Sequence, residues 1–326
     1  MIARLREFVN RFKRDSNRGI NFAYYAVFII LLVIILLLVF DVKKSYFANQ
    51  PDVRNRFNEQ IISSKKNGGQ NNHLVRSGDI KTTLLNKINP QNKNIPPQTG
   101  YYQDIPILMY HYVEDAPVSS SLKGLYLEPK IFENQLQEIS AAKYNNYFVS
   151  EIAKNLISKN PLPKDSLVLT FDDGYEDFYT NVYPLLKKYK IKATLYIIIN
   201  ALDKPGYLTK AQVREMAGSA YVEIGSHTFN HLDLSTLNKR KASFEIISSK
   251  RALENISGQP VLSFCYPYGH YNDNDIKLAS QAGYLASLTT EAGTIHYQSD
   301  IQILSRLRPG NRSGAEFTSW LKSFYK

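Results

Sequence analysis

The chain has 326 residues, 44% hydrophobic and 21% charged, with a formal net charge of +11 and a single cysteine, Cys265. One cysteine excludes an internal disulfide, so stability must come from an apolar core, and the length holds one large domain or two smaller ones. The charge is uneven: residues 1–100 carry 16 basic and 6 acidic side chains against 24 and 23 in residues 101–326, so no basic stripe in the larger part argues for a nucleic-acid partner.

Residues 1–21 form a basic segment with Arg4, Arg6, Arg11, Lys13, Arg14 and Arg18. The unbroken apolar run 22–40 is 19 residues long, close to the roughly 20 that cross a hydrocarbon core. It reads as a transmembrane helix, with the N-terminus cytoplasmic by the positive-inside rule and all that follows extracytoplasmic. A cleaved signal peptide is the alternative, but the run is long for one and no Ala-x-Ala site follows it. Residues 41–102, rich in Asn, Gln, Lys and Ser, read as a linker, with helical spacing at Val53, Phe57 and Ile61 and again at Ile80, Leu84 and Ile88. Fully flexible, it would reach about 40 Å from the bilayer, and its basic character suits an anionic surface or simple solvation.

The remaining domain, 103–326, alternates apolar strand-like runs with helical periodicities. Strands are predicted at 105–109, 167–171, 193–199, 221–224, 261–266, 285–288 and 301–304. Helices are predicted at 131–142, 178–189, 210–216, 239–256, 274–281 and 315–324. This alternation favours a parallel α/β sheet, open or closed into a barrel, with chemistry at the carboxyl ends of strands. Asp172, His227 and Tyr268 each fall just past a predicted strand.

The chemistry begins at Leu167–Gly174, where the carboxylates of Asp172 and Asp173 end an apolar strand. Asp-Asp-Gly can be a simple turn. Adjacent residues leaving a strand point to different sides, however, so one carboxylate can bind a metal while the other handles a proton. His227 and His231 stand at i and i+4, which on a helical turn places two imidazoles on one face at chelating distance. The segment Phe264–Gly269 runs from strand-like residues into a Pro and Gly turn, and alone reads as a strand end with rim aromatics.

In series, Thr170-Phe171-Asp172-Asp173-Gly174, His227-Thr228-x-x-His231 and Tyr266-Pro267-Tyr268-Gly269 resemble the polysaccharide deacetylases of carbohydrate esterase family four, over about residues 103–326. The resemblance implies that Asp173, His227 and His231 bind a divalent metal and that Asp172 is the general base. It also implies that Pro267 and Tyr268 line the sugar pocket, the Tyr268 N–H contributing to the oxyanion hole. Two imidazoles and a carboxylate suit zinc, with cobalt, nickel, manganese or iron matching the same donors.

Three departures from the family pattern stand out. Cys265 occupies the place of an arginine that orients the base, so Arg306 or Arg308 is expected to supply that charge to Asp172. The acidic, tryptophan-bearing fourth motif is missing, with Leu288-Thr289-Thr290-Glu291 in its place. The C-terminal Leu-x-x-His carrying the family's acid is also missing. His111, leaving the first domain strand, takes its place, as in the branch with permuted motifs that includes biofilm poly-N-acetylglucosamine deacetylases; His270 and His296 lie in predicted loops.

The resulting expectation is a single-pass membrane protein with an extracytoplasmic, irregular (β/α) barrel. Its activity would be metal-dependent N-deacetylation of an N-acetylglucosamine polymer, with peptidoglycan as the rival substrate. A glycan-binding pseudoenzyme and an O-acetyl esterase are the other readings.

Overall fold

The fold is organised around strands that are buried along their whole length, as expected of a parallel sheet covered on both faces. The computed structural model describes residues 100–118 and 120–325, which belong to the compact unit Lys93–Lys326. In chain order the strands are β1 (Tyr102–Asp104), β2 (Ile107–Tyr110), β3 (Asn145–Tyr147), β4 (Ser166–Phe171), β5 (Ala193–Ile197), β6 (Val222–Ser226), β7 (Ser263–Cys265), β8 (Ala286–Leu288) and β9 (Ile295–Tyr297). β2-β4-β5-β6-β7-β8 run side by side, all pairs parallel, and β3 also pairs with β4. β1 and β9 form a separate antiparallel pair.

The predicted final strand at 301–304 is not a strand. The segment instead makes isolated parallel bridges to both sheet edges, Leu288↔Leu304 and Leu108↔Leu307. Thr289 N–H donates to the Leu304 carbonyl at 2.9 Å, and Met109 N–H donates to that of Leu307 at 2.8 Å. A chain passing from one edge to the other spends too few residues beside either to build a ladder. The result is a curled parallel sheet whose edges are joined across this one segment.

Side-chain alternation along the strands divides the core in two. Leu108, Tyr110, Leu169, Phe171, Leu195 and Ile197 pack into the larger cluster with Phe132, Leu136 and Leu186 of the covering helices. Ile107, Val168, Tyr196 and Leu288 pack into a smaller one with Val149, Ile152, Ala153 and Leu156. Those last four belong to a helix, Val149–Ser158, absent from the predicted elements although its apolar residues follow helical spacing. Two predicted helices are interrupted: 178–189 is a π-helical turn, Phe178–Val182, followed by Tyr183–Tyr189 with Pro184 near its start, and 239–256 contains a π segment at Phe244–Ser248. His296, expected in a loop, lies in β9 and is buried.

The expected segments 1–21 and 22–40, and the linker up to residue 99, lie outside the described residues. Among the described residues no helix is long and apolar enough to cross a membrane.

Gly225 lets β6 approach β5, because a Cβ there would run into the Tyr196 ring and come within 3.1 Å of Ser263 Oγ. Tyr196 is fully buried and cannot swing away. Gly225→Ala is expected to cost about 1–3 kcal/mol through overpacking, measured as a lowered denaturant midpoint with an unchanged slope.

Candidate active site

The ends of four parallel strands converge at one side of the curled sheet. His111 follows β2, Asp172 and Asp173 follow β4, His227 follows β6, and Pro267 and Tyr268 follow β7. Beneath them Tyr110 stacks on Phe171 at 5.0 Å, and Phe132 and Phe178 meet the Phe171 ring edge-on, so the β2 and β4 ends rest on a rigid apolar floor.

Asp172 continues the strand, whereas Asp173 and Gly174 both take left-handed backbone, each with φ of 76°. Only glycine adopts that conformation freely, and the turn sends the two carboxylates in different directions. The histidine segment is not the helical turn that the i, i+4 spacing suggested. It is a loop with Thr228 at φ 67° and His231 at φ 58°, which brings the two Nε2 atoms to 3.2 Å.

Glu245, which the sequence did not single out, shapes that loop. Its buried carboxylate accepts from Phe229 N at 3.0 Å and Asn230 N at 2.7 Å, and from Asn230 Nδ2 at 2.7 Å. Thr228 Oγ1 accepts from His231 N at 2.9 Å. The available signal was an acid on the apolar side of helix 239–257, whose partner backbone lies 15 or more residues away.

Asp173 Oδ1 lies 3.4 Å from His227 Nε2 and 3.4 Å from His231 Nε2, and although buried it accepts no hydrogen bond. These separations match the ~3.3 Å edges of a tetrahedron with bonds of about 2.0–2.1 Å to nitrogen and oxygen. His227 Nδ1 donates to the Cys265 carbonyl at 2.7 Å, assigning the proton to that nitrogen and leaving the Nε2 lone pair for a ligand. Burial, with the neighbouring His227, lowers the His231 pKa to about 4 and keeps its ring neutral. A carboxylate oxygen and two imidazole nitrogens thus fit a divalent cation.

A second trio, Asp172, His227 and Cys265, also gathers potential donors. The Arg306 guanidinium lies against it, with Nη2 2.7 Å from Asp172 Oδ2 and 3.1 Å from Cys265 Sγ. A cation is repelled there, so of the two trios Asp173, His227 and His231 is the one that fits a cation.

Arg306, rather than Arg308, meets Asp172. The pair is bidentate, Nη1 to Oδ1 at 2.8 Å and Nη2 to Oδ2 at 2.7 Å, and both side chains are buried. Arg306 also donates to the Thr289 carbonyl at 2.8 Å and to Thr170 Oγ1 at 3.1 Å. Burial works to raise the Asp172 carboxyl, but the guanidinium overcomes it and holds the group well below the usual carboxylate range. The small thiol at 265 leaves room for a guanidinium arriving from the opposite side of the site. Arg308 is exposed and lines a small pocket with His111 and Tyr126.

His111 Nε2 lies 3.8 Å from Asp172 Oδ2, and burial holds its pKa below the ordinary imidazole value despite the two carboxylates. Tyr268, at φ 59° and ψ 0°, is exposed and turns its ring against His231 at 4.7 Å, while Pro267 is buried beneath the turn. His270 stands outside the cluster, paired with Asp233 at 2.8 Å.

Arg306→Ala strands a buried carboxylate and is expected to cost about 3–5 kcal/mol in denaturant unfolding, whereas Arg308→Ala, which breaks no such pair, should stay within ~1 kcal/mol. Glu245→Gln weakens the hold on the histidine loop. Zinc affinity measured by competitive titration should fall about 10–100-fold while the folded content, read by circular dichroism, is retained.

A family model for polysaccharide deacetylase matches residues 159–287. The Bacillus subtilis protein YxkH, whose name assigns it to polysaccharide deacetylation, is 35% identical over 222 residues, 67% of this chain and 76% of its own. The poly-beta-1,6-N-acetyl-D-glucosamine N-deacetylase of Staphylococcus epidermidis is 28% identical over 59% of this chain and 71% of its own. Among solved structures, the Streptococcus pyogenes deacetylase PplD, in complex with acetate, superposes with a TM-score of 0.61 at 32% identity, covering 68% of this chain and 98% of that one. With the same fold and a relative of this identity aligned over two thirds of the chain, the protein belongs to the polysaccharide deacetylase family.

Proposed function

We propose that the protein is a metal-dependent N-deacetylase of an N-acetylglucosamine polymer, poly-N-acetylglucosamine of the biofilm type, anchored in the cell membrane by residues 22–40 with its domain outside. The observation that carries this reading is the adjacency of two devices: a trio of two imidazoles and a carboxylate with an unsatisfied oxygen, and a carboxylate locked in its ionised form by Arg306. The name of the Staphylococcus epidermidis relative and the position of His111 support the choice of polymer.

A divalent cation held by Asp173, His227 and His231 would polarise the acetyl carbonyl and make a water acidic near neutral pH. Asp172 accepts the proton of that water. Its oxygens each accept one Arg306 hydrogen bond and retain further lone-pair sites, so the carboxylate is oriented without being used up. The Tyr268 N–H donates to the developing oxyanion in this scheme, a contribution worth roughly 10²–10³ in rate for a single donor. His111, in its protonated form, hands a proton to the departing nitrogen as the carbon–nitrogen bond breaks, giving acetate and a free amine. A buried imidazolium with a lowered pKa is a stronger acid than a free one.

The test is acetate release from defined N-acetylglucosamine oligomers by purified protein, followed by product mass. One acetyl mass should be lost per event, release should stop with chelator, and added zinc should restore it. His111→Ala should lower kcat about 10²–10⁴-fold with metal content unchanged. Release from peptidoglycan and not from the β-1,6-linked polymer would move the substrate to wall glycan, and no chelator-sensitive release from either would leave a glycan-binding protein of the same fold.

A further inference from the structure

Next to the catalytic cluster lies an open cavity of about 490 Å³ that the reaction scheme does not use. Its volume falls within the ~300–1,000 Å³ range of small-ligand sites, large enough for a sugar ring. One wall is a continuous stack of four tyrosines. Tyr112 sits between Tyr126, at 4.2 Å and 3° between planes, and Tyr175, at 3.6 Å and 18°, and Tyr207 extends the row at 5.1 Å.

This wall is shared with the catalytic residues. Tyr112 directly follows His111, and Tyr175, two residues after Asp173, interacts with the Asp173 carboxylate. Tyr175 and Tyr207 are also tied through their backbones by an isolated bridge, and Glu176 N–H donates to the Gly206 carbonyl at 3.0 Å, so the two sides of the cavity mouth are fixed to each other. A chain of sugars threading the catalytic pocket must leave it past some such wall.

The rest of the lining carries Glu114, Glu176 and Asp177, and no lysine, arginine or histidine is among the lining residues. Asp177 is committed to the fold, its Oδ2 accepting from Val113 N at 2.5 Å. Its carboxyl is pushed up to about 6, chiefly by burial, with the Val113 N–H opposing the rise and the charge of Glu114 adding to it.

We propose that the tyrosine-walled cavity is a sugar subsite that takes a protonated glucosamine unit of the polymer, next to the N-acetylglucosamine unit being hydrolysed. This rests on the deacetylase reading, whose product carries the ammonium group that the cavity's acids would meet. Tyrosine edges and hydroxyls suit a pyranose ring and its hydroxyls, and Glu114 and Glu176 supply the counter-charge. The consequence is a preference for chains that are already partly deacetylated, so that one round of hydrolysis strengthens the hold on the chain for the next.

The test compares β-1,6-linked glucosamine and N-acetylglucosamine tetrasaccharides by calorimetry on the purified full-length protein, below the pKa of the sugar amine. The glucosamine tetrasaccharide should bind about 5–10-fold tighter, an advantage that added salt reduces and that Glu114→Gln with Glu176→Gln removes. Equal affinities in the wild-type protein, or an advantage that survives the double substitution, would overturn the proposal. Tighter glucosamine binding without acetate release from any polymer would support the subsite while removing the deacetylase reading.

Discussion

The buried ion pair between Asp172 and Arg306 is the contact on which the rest of the site depends. Two charges taken out of water lose several kcal/mol of hydration each, and only near-ideal geometry returns it. Here the return comes from two parallel charge-assisted hydrogen bonds together with bonds to Thr170 and the Thr289 carbonyl. The pair also ties chemistry to architecture. Arg306 stands between the two isolated bridges, at Leu304 and Leu307, that join the edges of the curled sheet. The ionised state of the carboxylate on β4 is therefore a consequence of closing the sheet at the other end of the domain.

Around that pair the site is assembled by backbone that ordinary residues avoid. Asp173, Thr228, His231 and Tyr268 all have positive φ, and all lie at strand ends facing the same space. Left-handed backbone in non-glycine residues persists only where surrounding contacts over-determine it. Those contacts are visible: Glu245 gripping the histidine loop, the Cys265 carbonyl fixing the His227 tautomer, and the aromatic floor under β2 and β4. With these supports the three ligand atoms stand at the separations a cation requires.

The two halves of the site differ in how they handle charge. In the trio of Asp173, His227 and His231, two imidazole nitrogens face a buried carboxylate oxygen that accepts no hydrogen bond, an arrangement that favours a cation. In the neighbouring cavity, acids stand beside a tyrosine stack, with no lysine, arginine or histidine among the lining residues. Chemistry that converts a neutral amide into a cationic amine is consistent with both.

The amino-acid sequence by itself determined the parts of this protein that depend on local order. The mostly apolar runs at β4 and β5 read as strands of a covered parallel sheet. The spacing of Asp172, Asp173, His227, His231 and Tyr268 relative to those runs was enough to place them at one sheet end. The helix Val149–Ser158 was missed, although Val149, Ile152, Ala153 and Leu156 carry its local pattern. The tertiary structure decided everything that rests on meetings between distant segments. Arg306 rather than Arg308 reaches Asp172, Glu245 holds a loop 15 residues away, residues 301–307 bridge two edges instead of forming a strand, and four tyrosines from separate turns become one wall. Periodicity reports which face of a segment is buried, but not which partner lies across the core, because that depends on the curl of the whole sheet.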